Sequence, residues 1–403
     1  MLQHRPYLHR RILNILPYLT FEHFFEGQTM KHNISPFLSQ KFRFWSFISM
    51  VLLVFVHAYN LDQRYLQPFT LVGEPLTFTT FFEYFTANGI FRFRIPMLFA
   101  ISGFLFALGD TQAHGERVQS RLRTLLVPYL FWSAFGLALT WCLEQFTQTQ
   151  GFVRSADLSQ PIAAYQVQDW LMRWLLEPVP FQLWFIRVLL VYNLAYPLIA
   201  RVVTSSPKIW FGIILIIWLI FPVSLGFLEP EGLLFFSLGV WMQKTNFDIE
   251  QLPKRVNISL VAVLCIAVAA GKTLASFMIP EQSLRHPAAF MGLLVWHRLI
   301  EGLGLYVAWY GMDALVRGAM ARQWFRWASA FSFMIYALHV PLVNYLLAPT
   351  FEILHGLPMF RLTAYFLLPI TLILFCISVG ALLRRFAPPV YEIVTGGRGM
   401  NSK

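Results

Sequence analysis

Charged residues are scarce in this chain. They make up 13% of its 403 residues, whereas hydrophobic residues make up 57%, and the mean hydropathy is +0.57. A soluble domain is about a quarter charged, so this composition excludes a set of soluble domains and indicates one helical domain solvated by lipid. Forty phenylalanines and 13 tryptophans fit the same environment.

Cysteine is scarcer still, with only Cys142, Cys265 and Cys376, far apart in the sequence. This placement gives neither a disulfide framework nor a metal-ligand spacing, and the histidines of the loops and tails add none. We therefore expect no metal and no permanently bound cofactor. A clean signal peptide is also lacking, because the short apolar piece at 12–19 holds Pro17 and no small-residue cleavage site follows it.

Ten apolar segments are each about long enough to cross a bilayer. They are roughly 44–60, 94–109, 124–143, 182–202, 209–227, 229–244, 256–279, 288–313, 327–347 and 362–384. The expected fold is thus an all-α integral membrane protein, a polytopic bundle of about ten transmembrane helices.

We expect three regions along the chain. The membrane domain spans 41–387 and follows a cytoplasmic segment, 1–40, that is partly disordered or lies at the membrane surface. Residues 388–403 form a cytoplasmic tail. Because the membrane pattern needs nothing before Met30, the sequence leaves a translation start at Met1 or at Met30 open.

Lysine and arginine are unevenly placed. If the N-terminus is cytoplasmic, most of the 31 basic residues fall in cytoplasmic pieces, and every cytoplasmic connection carries at least two. This bias predicts ten spans with both termini inside. It also indicates that the formal charge of +11 reflects membrane topology and not nucleic-acid binding.

The first apolar segment ends on a histidine. Residues 44–58 hold His57, two serines and otherwise only apolar side chains. A titratable group near the end of a spanning helix is costly unless it has a partner or a role. At about 100° per residue, one stripe of the helix joins this imidazole to a basic residue near the other end. The stripe consists of His57, Leu53, Met50, Ser46 and Arg43. A histidine that merely hydrogen-bonds a neighbouring loop is the alternative.

Further motifs follow in order along the chain. They are Ser102-Gly103 in the second segment, the basic entry to the third with Arg117, Arg121 and Arg123, and Tyr336-x-x-His339 in the ninth. Ser-Gly in a helix is typical of a close-packing notch. Together with the histidine of the first segment, this ordered series resembles the bacterial acyltransferase-3 family of integral-membrane O-acyltransferases, from about Lys41 to Arg385.

The resemblance implies a reaction and its partners. An acyl-CoA, with acetyl as the expected acyl group, serves as co-substrate from the cytoplasm. The acceptor is a hydroxyl of a cell-surface glycan or of its lipid-linked precursor, and the location is the inner membrane of a bacterium. His57 matches the essential first-helix histidine of the family and is the expected general base. Arg121 and Arg123 match the basic entry to its third helix.

The chain departs from the family pattern at one position. Eleven residues before the histidine, where the family commonly has Arg or Lys, this chain has Ser46. Arg43 lies about one turn earlier on the same stripe, so we expect it to substitute and include it among the catalytic residues. His339 is the third expected catalytic residue, positioning substrate or thioester, with a packing role as the alternative.

Arginines account for the expected donor site. We expect Arg117, Arg121 and Arg123 to bind the phosphates of CoA, because guanidinium groups bind phosphate bidentately. Arg117 and Arg121 are four apart on one helix face, whereas Arg123 points elsewhere. Alternatively, all three arginines only contribute to the positive charge of cytoplasmic loops that sets membrane topology.

Three further residues are expected to bind substrate: Arg187, Glu231 and Tyr336. Arg187 lies inside the fourth segment and needs a carboxylate or an aqueous cavity, and Glu231 is a candidate partner. Arg298 and Glu301, three apart in the eighth segment, are expected to form a structural ion pair.

Two other functions stay open from the residues alone. One is a transporter or flippase with intramembrane charges along its path, although no inverted repeat supports it. The other is a non-catalytic membrane partner of a polysaccharide synthase. The residue chemistry favours the acyltransferase, because acyl transfer to an alcohol needs a base for the hydroxyl proton, and histidine is suited to this near neutral pH.

Overall fold

The computed structural model describes residues 34–59, 67–146, 149, 158, 160–221, 226–253 and 255–400. All regular structure in these ranges is helical, which confirms the all-α prediction. Most of the predicted N-terminal segment, with Met1 and Met30, lies outside the described residues, as do residues 401–403 at the other end.

Seventeen α-helices follow one another in the described ranges. The first nine are α1 (Pro36–His57), α2 (Phe78–Ala87), α3 (Arg94–Leu108), α4 (His114–Arg121), α5 (Val127–Glu144), α6 (Val167–Leu175), α7 (Trp184–Leu194), α8 (Tyr196–Ser205) and α9 (Pro207–Ile220). The others are α10 (Pro230–Lys244), α11 (Ile258–Met278), α12 (Pro287–Gly311), α13 (Asp313–Ala321), α14 (Gln323–Ser329), α15 (Ser332–Leu354), α16 (Phe360–Phe386) and α17 (Pro388–Thr395).

The described helices provide seven candidate membrane spans. They are α1, α2 joined to α3, α4 joined to α5, α11, α12, α15 and α16, and the pair α7 and α8, bent by 66°, is an eighth. The fifth and sixth predicted segments are α9 and α10, with 14 and 15 residues. At about 1.5 Å per residue, each is roughly 22 Å long, less than the hydrocarbon core of about 30 Å. The predicted number of about ten spans is therefore not confirmed.

Although short, α10 packs along α3 as closely as backbone allows. A Cβ atom on Gly103 of α3 would collide with the carbonyl of Phe236 in α10. This confirms the Ser-Gly sequence of the second segment as a packing notch. Lys244, the last residue of α10, forms an ion pair with Asp110, which follows the end of α3. The two helices are therefore parallel and begin at the same end of the bundle.

The first helix, α1, carries His57 at its C-terminus and begins earlier than the predicted domain boundary at 41. Ser35 caps it by accepting a hydrogen bond from the Leu38 amide at 2.9 Å, and Pro36 occupies the first helical position. Its neighbours include α3, α15 and α16. Most of α1 is enclosed by the largest cluster of buried apolar side chains, so the position of its end is set by packing.

Helix α15 is broken directly after His339. Val340 has φ −109° and ψ 131°, outside the helical region, and Pro341 follows it. A proline inside a helix has no backbone N–H to donate, so carbonyl groups of the preceding turn lack their helical hydrogen bonds. The amide of Gln182 donates to three of them at 3.2 Å. This contact fixes the broken turn against the N-terminus of α7.

Candidate active site

A polar cavity of about 490 Å³ opens where the end of α1 meets the beginnings of α3, α7 and α10. The charged and titratable side chains that line it come from several helices and their connections. They are His57, Arg92, Arg94, Glu229, Glu231, His297, Arg298, Glu301 and Tyr336. The rest of the described lining is mostly apolar or aromatic, including Phe181 and Trp184.

His57 faces this polar cavity and lies beside a second histidine. The Nδ1 atom of His57 is buried and has no hydrogen-bond partner among the described residues. Its ring is nearly perpendicular to that of Phe181, with 4.9 Å between centroids, and stacks on His339 at 5.7 Å with 21° between the planes. The structure thus brings together the two histidines that the sequence singled out.

His339 packs against the ring of His57. It is fully buried, and its Nδ1 lies 2.9 Å from the carbonyl oxygen of Ile335 and 3.0 Å from that of Tyr336. A carbonyl oxygen can only accept, so Nδ1 carries the hydrogen and Nε2 is an acceptor. His339 is absent from the described linings of both cavities defined here, which suits a positioning role.

The opposite wall of the polar cavity is a network of charged side chains. Arg298 lies 2.5 Å from a carboxylate oxygen of Glu231 and 2.9 Å from one of Glu301. His297 Nε2 lies 3.2 Å from the other oxygen of Glu301. The predicted Arg298–Glu301 ion pair is confirmed, and the carboxylate of Glu231 pairs with Arg298 and not with Arg187. Buried charges need such mutual pairing.

The charged and histidine side chains of the cavity that lie outside the predicted site are Arg92, Arg94, Glu229, His297, Arg298 and Glu301. The α12 residues share a helix face because they are spaced by three and four, so their stripe could have been read from the sequence. Arg94 is almost wholly buried, and its Nη1 donates to the Phe91 carbonyl at 2.9 Å. Its Nε has no hydrogen-bond partner among the described residues. The signal for Arg94 was an arginine two positions before Pro96 at the start of an apolar segment.

A second cavity, of about 130 Å³, adjoins the first, and we call it the arginine cavity. The two share four lining residues: Met50, Leu98, Phe185 and Tyr336. From there the arginine cavity extends past Ser46 of α1 to Arg121 and Arg398. The two cavities therefore lie side by side, one lined by a pair of arginines and the other by His57.

Of the three arginines predicted to bind CoA, the structure brings Arg121 alone to a described cavity. Arg117 forms an ion pair with Asp110 at 2.8 Å and donates to a backbone carbonyl. Arg123 is exposed, as its predicted separate orientation requires. A π-helical turn, Leu122–Leu126, lies between Arg121 and the rest of the third span. Such turns are frequent at functional sites because they redirect side chains.

Arg43 lies outside the described linings of both cavities, whereas Ser46 lines the arginine cavity. The Nε of Arg43 donates to the Ser329 hydroxyl at 2.8 Å, and its Nη2 donates to the Arg326 carbonyl at 2.5 Å. These bonds fasten α1 to α14. A catalytic role for Arg43 stays a prediction, and its contacts favour anchoring.

Arg187 and Tyr336, both predicted to bind substrate, are placed differently. Arg187 donates to the carbonyls of Leu176 and Gly226 and lies outside both described linings. Tyr336 lines both cavities, and its hydroxyl donates to the Gln182 carbonyl at 2.7 Å. Tyr336 thus stands at the junction of the two cavities, while Arg187 ties connecting segments together.

This arrangement can support the chemistry of acyl transfer. An imidazole with a free acceptor nitrogen can remove a proton from a hydroxyl group. A buried guanidinium such as that of Arg94 can stabilise negative charge that develops on a carbonyl oxygen. His57 and Arg94 line the same cavity, so both effects can act on one bound group.

Comparison with known proteins identifies the family. A family model described as an acyltransferase domain matches residues 45–383. The succinoglycan biosynthesis protein ExoH of Rhizobium meliloti (strain 1021) is 27% identical over 322 residues, which cover 78% of this chain and 81% of that protein. No solved structure matches the chain. Because the family model covers most of its length, the chain belongs to the acyltransferase-3 family and is a membrane O-acyltransferase.

Proposed function

We propose that this protein transfers an acyl group, with acetyl expected, from cytoplasmic acyl-CoA to a hydroxyl of a cell-surface polysaccharide or its lipid-linked precursor. The observation that carries the proposal is the pair of adjoining cavities, one holding Arg121 and the other His57. The name of the relative ExoH connects that protein with succinoglycan biosynthesis, which supports a polysaccharide acceptor here.

His57 is the general base in the proposed reaction. The acceptor oxygen attacks the thioester carbonyl while His57 takes the hydroxyl proton. The carbonyl oxygen becomes negatively charged, and Arg94 stabilises it. The tetrahedral intermediate then expels the CoA thiolate, which recovers the proton from His57. The products are the acyl ester and CoA, and no further reactant is needed.

The donor reaches His57 through the arginine cavity. Arg121 binds a phosphate of CoA, because charge-assisted bonds from a guanidinium suit phosphate oxygens. The pantetheine arm then passes Tyr336, where the cavities join. Ser46, in the arginine cavity, and His57 lie on one helix, eleven residues or about 16 Å apart. An extended pantetheine arm can cover that distance.

The charged wall opposite His57 binds the acceptor. Carboxylate oxygens of Glu231 and Glu301 keep lone pairs beyond those that Arg298 uses, so they can accept hydrogen bonds from sugar hydroxyls. Phe181 and Trp184, also in the lining, offer apolar faces against which a sugar ring can pack. Arg187 contributes indirectly, by holding the segments around Leu176 and Gly226.

The proposed topology places both termini in the cytoplasm of a bacterium and the protein in the inner membrane. The unequal distribution of Lys and Arg supports this orientation. We further propose that α9 and α10 cross the bilayer as short helices, which restores ten crossings. The parallel packing of α10 on α3 supports that count. A thiol placed at Gly226, before α10, should react with impermeant reagents from outside only, and one at Ser206, before α9, from the cytoplasm only.

A transfer assay with purified protein tests the function. In lipid nanodiscs with acyl-labelled acetyl-CoA and acceptor oligosaccharide, we expect labelled sugar and one released CoA thiol per ester formed. A transporter or a non-catalytic partner would release no thiol. Polysaccharide from a deletion strain should lack ester groups and regain them with the wild-type gene. Unchanged ester content together with no thiol release would contradict the proposal.

A further inference from the structure

The chain beyond the last long helix folds back onto the bundle. It begins with α17 and lies outside the part that the family model matches, which ends at residue 383. Tyr391 is fully buried, and Val394 is 2% exposed. The indole nitrogen of Trp132, in α5, donates to the Val394 carbonyl at 2.8 Å. This segment, predicted as a cytoplasmic tail, is therefore in its described part an integrated piece of the fold.

A glycine-rich turn directs the chain after α17. Gly396, Gly397 and Gly399 have φ values of 63°, 81° and 78°, in the left-handed region that glycine adopts without strain. A Cβ atom on Gly396 would lie 2.5 Å from the carbonyl oxygen of Thr124. The turn thus packs directly on the backbone of the π-helical turn that follows Arg121.

This turn places Arg398 at the arginine cavity, which Arg121 also lines. Arg398 Nη1 donates to the carbonyls of Thr124 and Thr395, both at 2.7 Å, and its guanidinium lies 4.7 Å from the centre of the Phe333 ring. Burial, with the charge of Arg121 adding to it, lowers the pKa of Arg398 to about 9, so it stays protonated at neutral pH. The described lining contains two guanidinium groups and no carboxylate.

Both guanidinium groups line one small cavity, and guanidinium groups bind phosphate oxygens through charge-assisted hydrogen bonds. The pair lies at the end of the arginine cavity that is remote from His57. That is where the phosphates of the donor must remain if its thioester reaches His57. We propose that Arg398, supplied by the C-terminal segment, binds phosphate groups of the acyl-CoA together with Arg121. This inference rests on the proposed function.

Donor affinity in variants of the full chain tests the role of Arg398. Arg398→Gln keeps an amide that can donate to the Thr124 carbonyl but removes the charge. We expect this variant to bind acetyl-CoA about 10- to 100-fold more weakly, the loss of one charge-assisted contact. Arg398→Lys should retain part of the affinity. Arg385→Ala is the matched control, because Arg385 is exposed at the end of α16, and it should bind as wild type does.

A thioester without phosphates separates phosphate binding from a structural effect. Acetyl-pantetheine should react equally well with wild-type protein and Arg398→Gln, so the preference for acetyl-CoA should fall by the same 10- to 100-fold. Equal losses with both thioesters, or wild-type acetyl-CoA affinity in Arg398→Gln, would overturn the inference. If Arg121→Ala alone weakens binding, only the role of Arg398 fails. If neither variant does, the proposed donor site fails too.

Discussion

A histidine lines each of two sides of the polar cavity, but the side chains around the two imidazole rings differ. On the side of α12, His297 Nε2 lies against Glu301, which shares Arg298 with Glu231, while His297 Nδ1 has no hydrogen-bond partner among the described residues. On the side of α1, His57 has the Phe181 ring and a second imidazole as ring neighbours, and its Nδ1 likewise has no hydrogen-bond partner among the described residues.

The different surroundings suit the two histidines to different roles, one in binding and one in proton transfer. A histidine held by a carboxylate is fixed in orientation and already uses that nitrogen, so it suits a binding wall. Among the described residues no carboxylate forms an ion pair with His57, so its imidazole can accept a substrate proton. From this contrast we infer that His57 acts in proton transfer and that the wall containing His297 binds the acceptor.

Replacing each histidine in turn tests this contrast most strongly. His57→Ala should lower kcat about 10²- to 10⁴-fold, the usual contribution of a general base, and leave acetyl-CoA affinity near wild type. His297→Ala should act chiefly on the KM for the acceptor. Steady-state kinetics with both substrates measures this. If His57→Ala kept more than a tenth of the wild-type kcat, or His297→Ala lost as much, the roles would be reversed or shared.

The charged wall should be sensitive to loss of its central cation. Arg298→Met removes the cation that the carboxylates of Glu231 and Glu301 share, so we expect about 3–5 kcal/mol of destabilisation. Adding Glu231→Gln and Glu301→Gln should recover part of it, because the uncompensated charges are then removed. Thermal unfolding in detergent measures both variants, with Arg187→Met as a control outside the network. Equal stability of the single and triple variants would disprove the charge argument.

For the arginines of the third span we expect a smaller effect, which concerns the affinity for the acyl donor. Arg121→Ala should weaken acetyl-CoA binding about 10- to 100-fold, because one charge-assisted contact is lost. Arg123→Ala is the matched control, since Arg123 is two residues away and exposed. Calorimetric titration of the two variants compares them directly. Similar affinities in both would leave Arg121 with a topological role only.

The mildest effect is expected from the supporting histidine. His339→Ala removes the ring stacked on His57 without touching the proton acceptor. A ring pair contributes about 0.5–1.5 kcal/mol, so kcat should fall roughly 2- to 13-fold. Rescue by His339→Phe, which restores a ring, would distinguish support from acid–base chemistry. A loss as large as that of His57→Ala would make His339 a direct participant.

Local patterns account for the parts of the site that were predictable. The apolar segments, the histidine at the end of the first segment and the Arg298–Glu301 spacing can all be read along single helices. The partner of Glu231 could not be read in this way, because Arg298 lies on another helix and the choice over Arg187 depends on how the helices pack. The number of spans could not be read from the sequence either, because α9 and α10 are too short for their length alone to show whether they cross the bilayer.

The sequence by itself determined an all-helical membrane protein of the acyltransferase-3 family and singled out His57. These features depend on apolar composition and helical periodicity, which involve residues close together in the chain. Only the tertiary structure decided which arginines meet a cavity. Arg121 and Arg123 are two positions apart, yet one lines the arginine cavity and the other is exposed. Arg398 joins Arg121 from the far end of the chain. Side-chain direction and long-range packing set these positions, and neither is encoded in the spacing of residues along one helix.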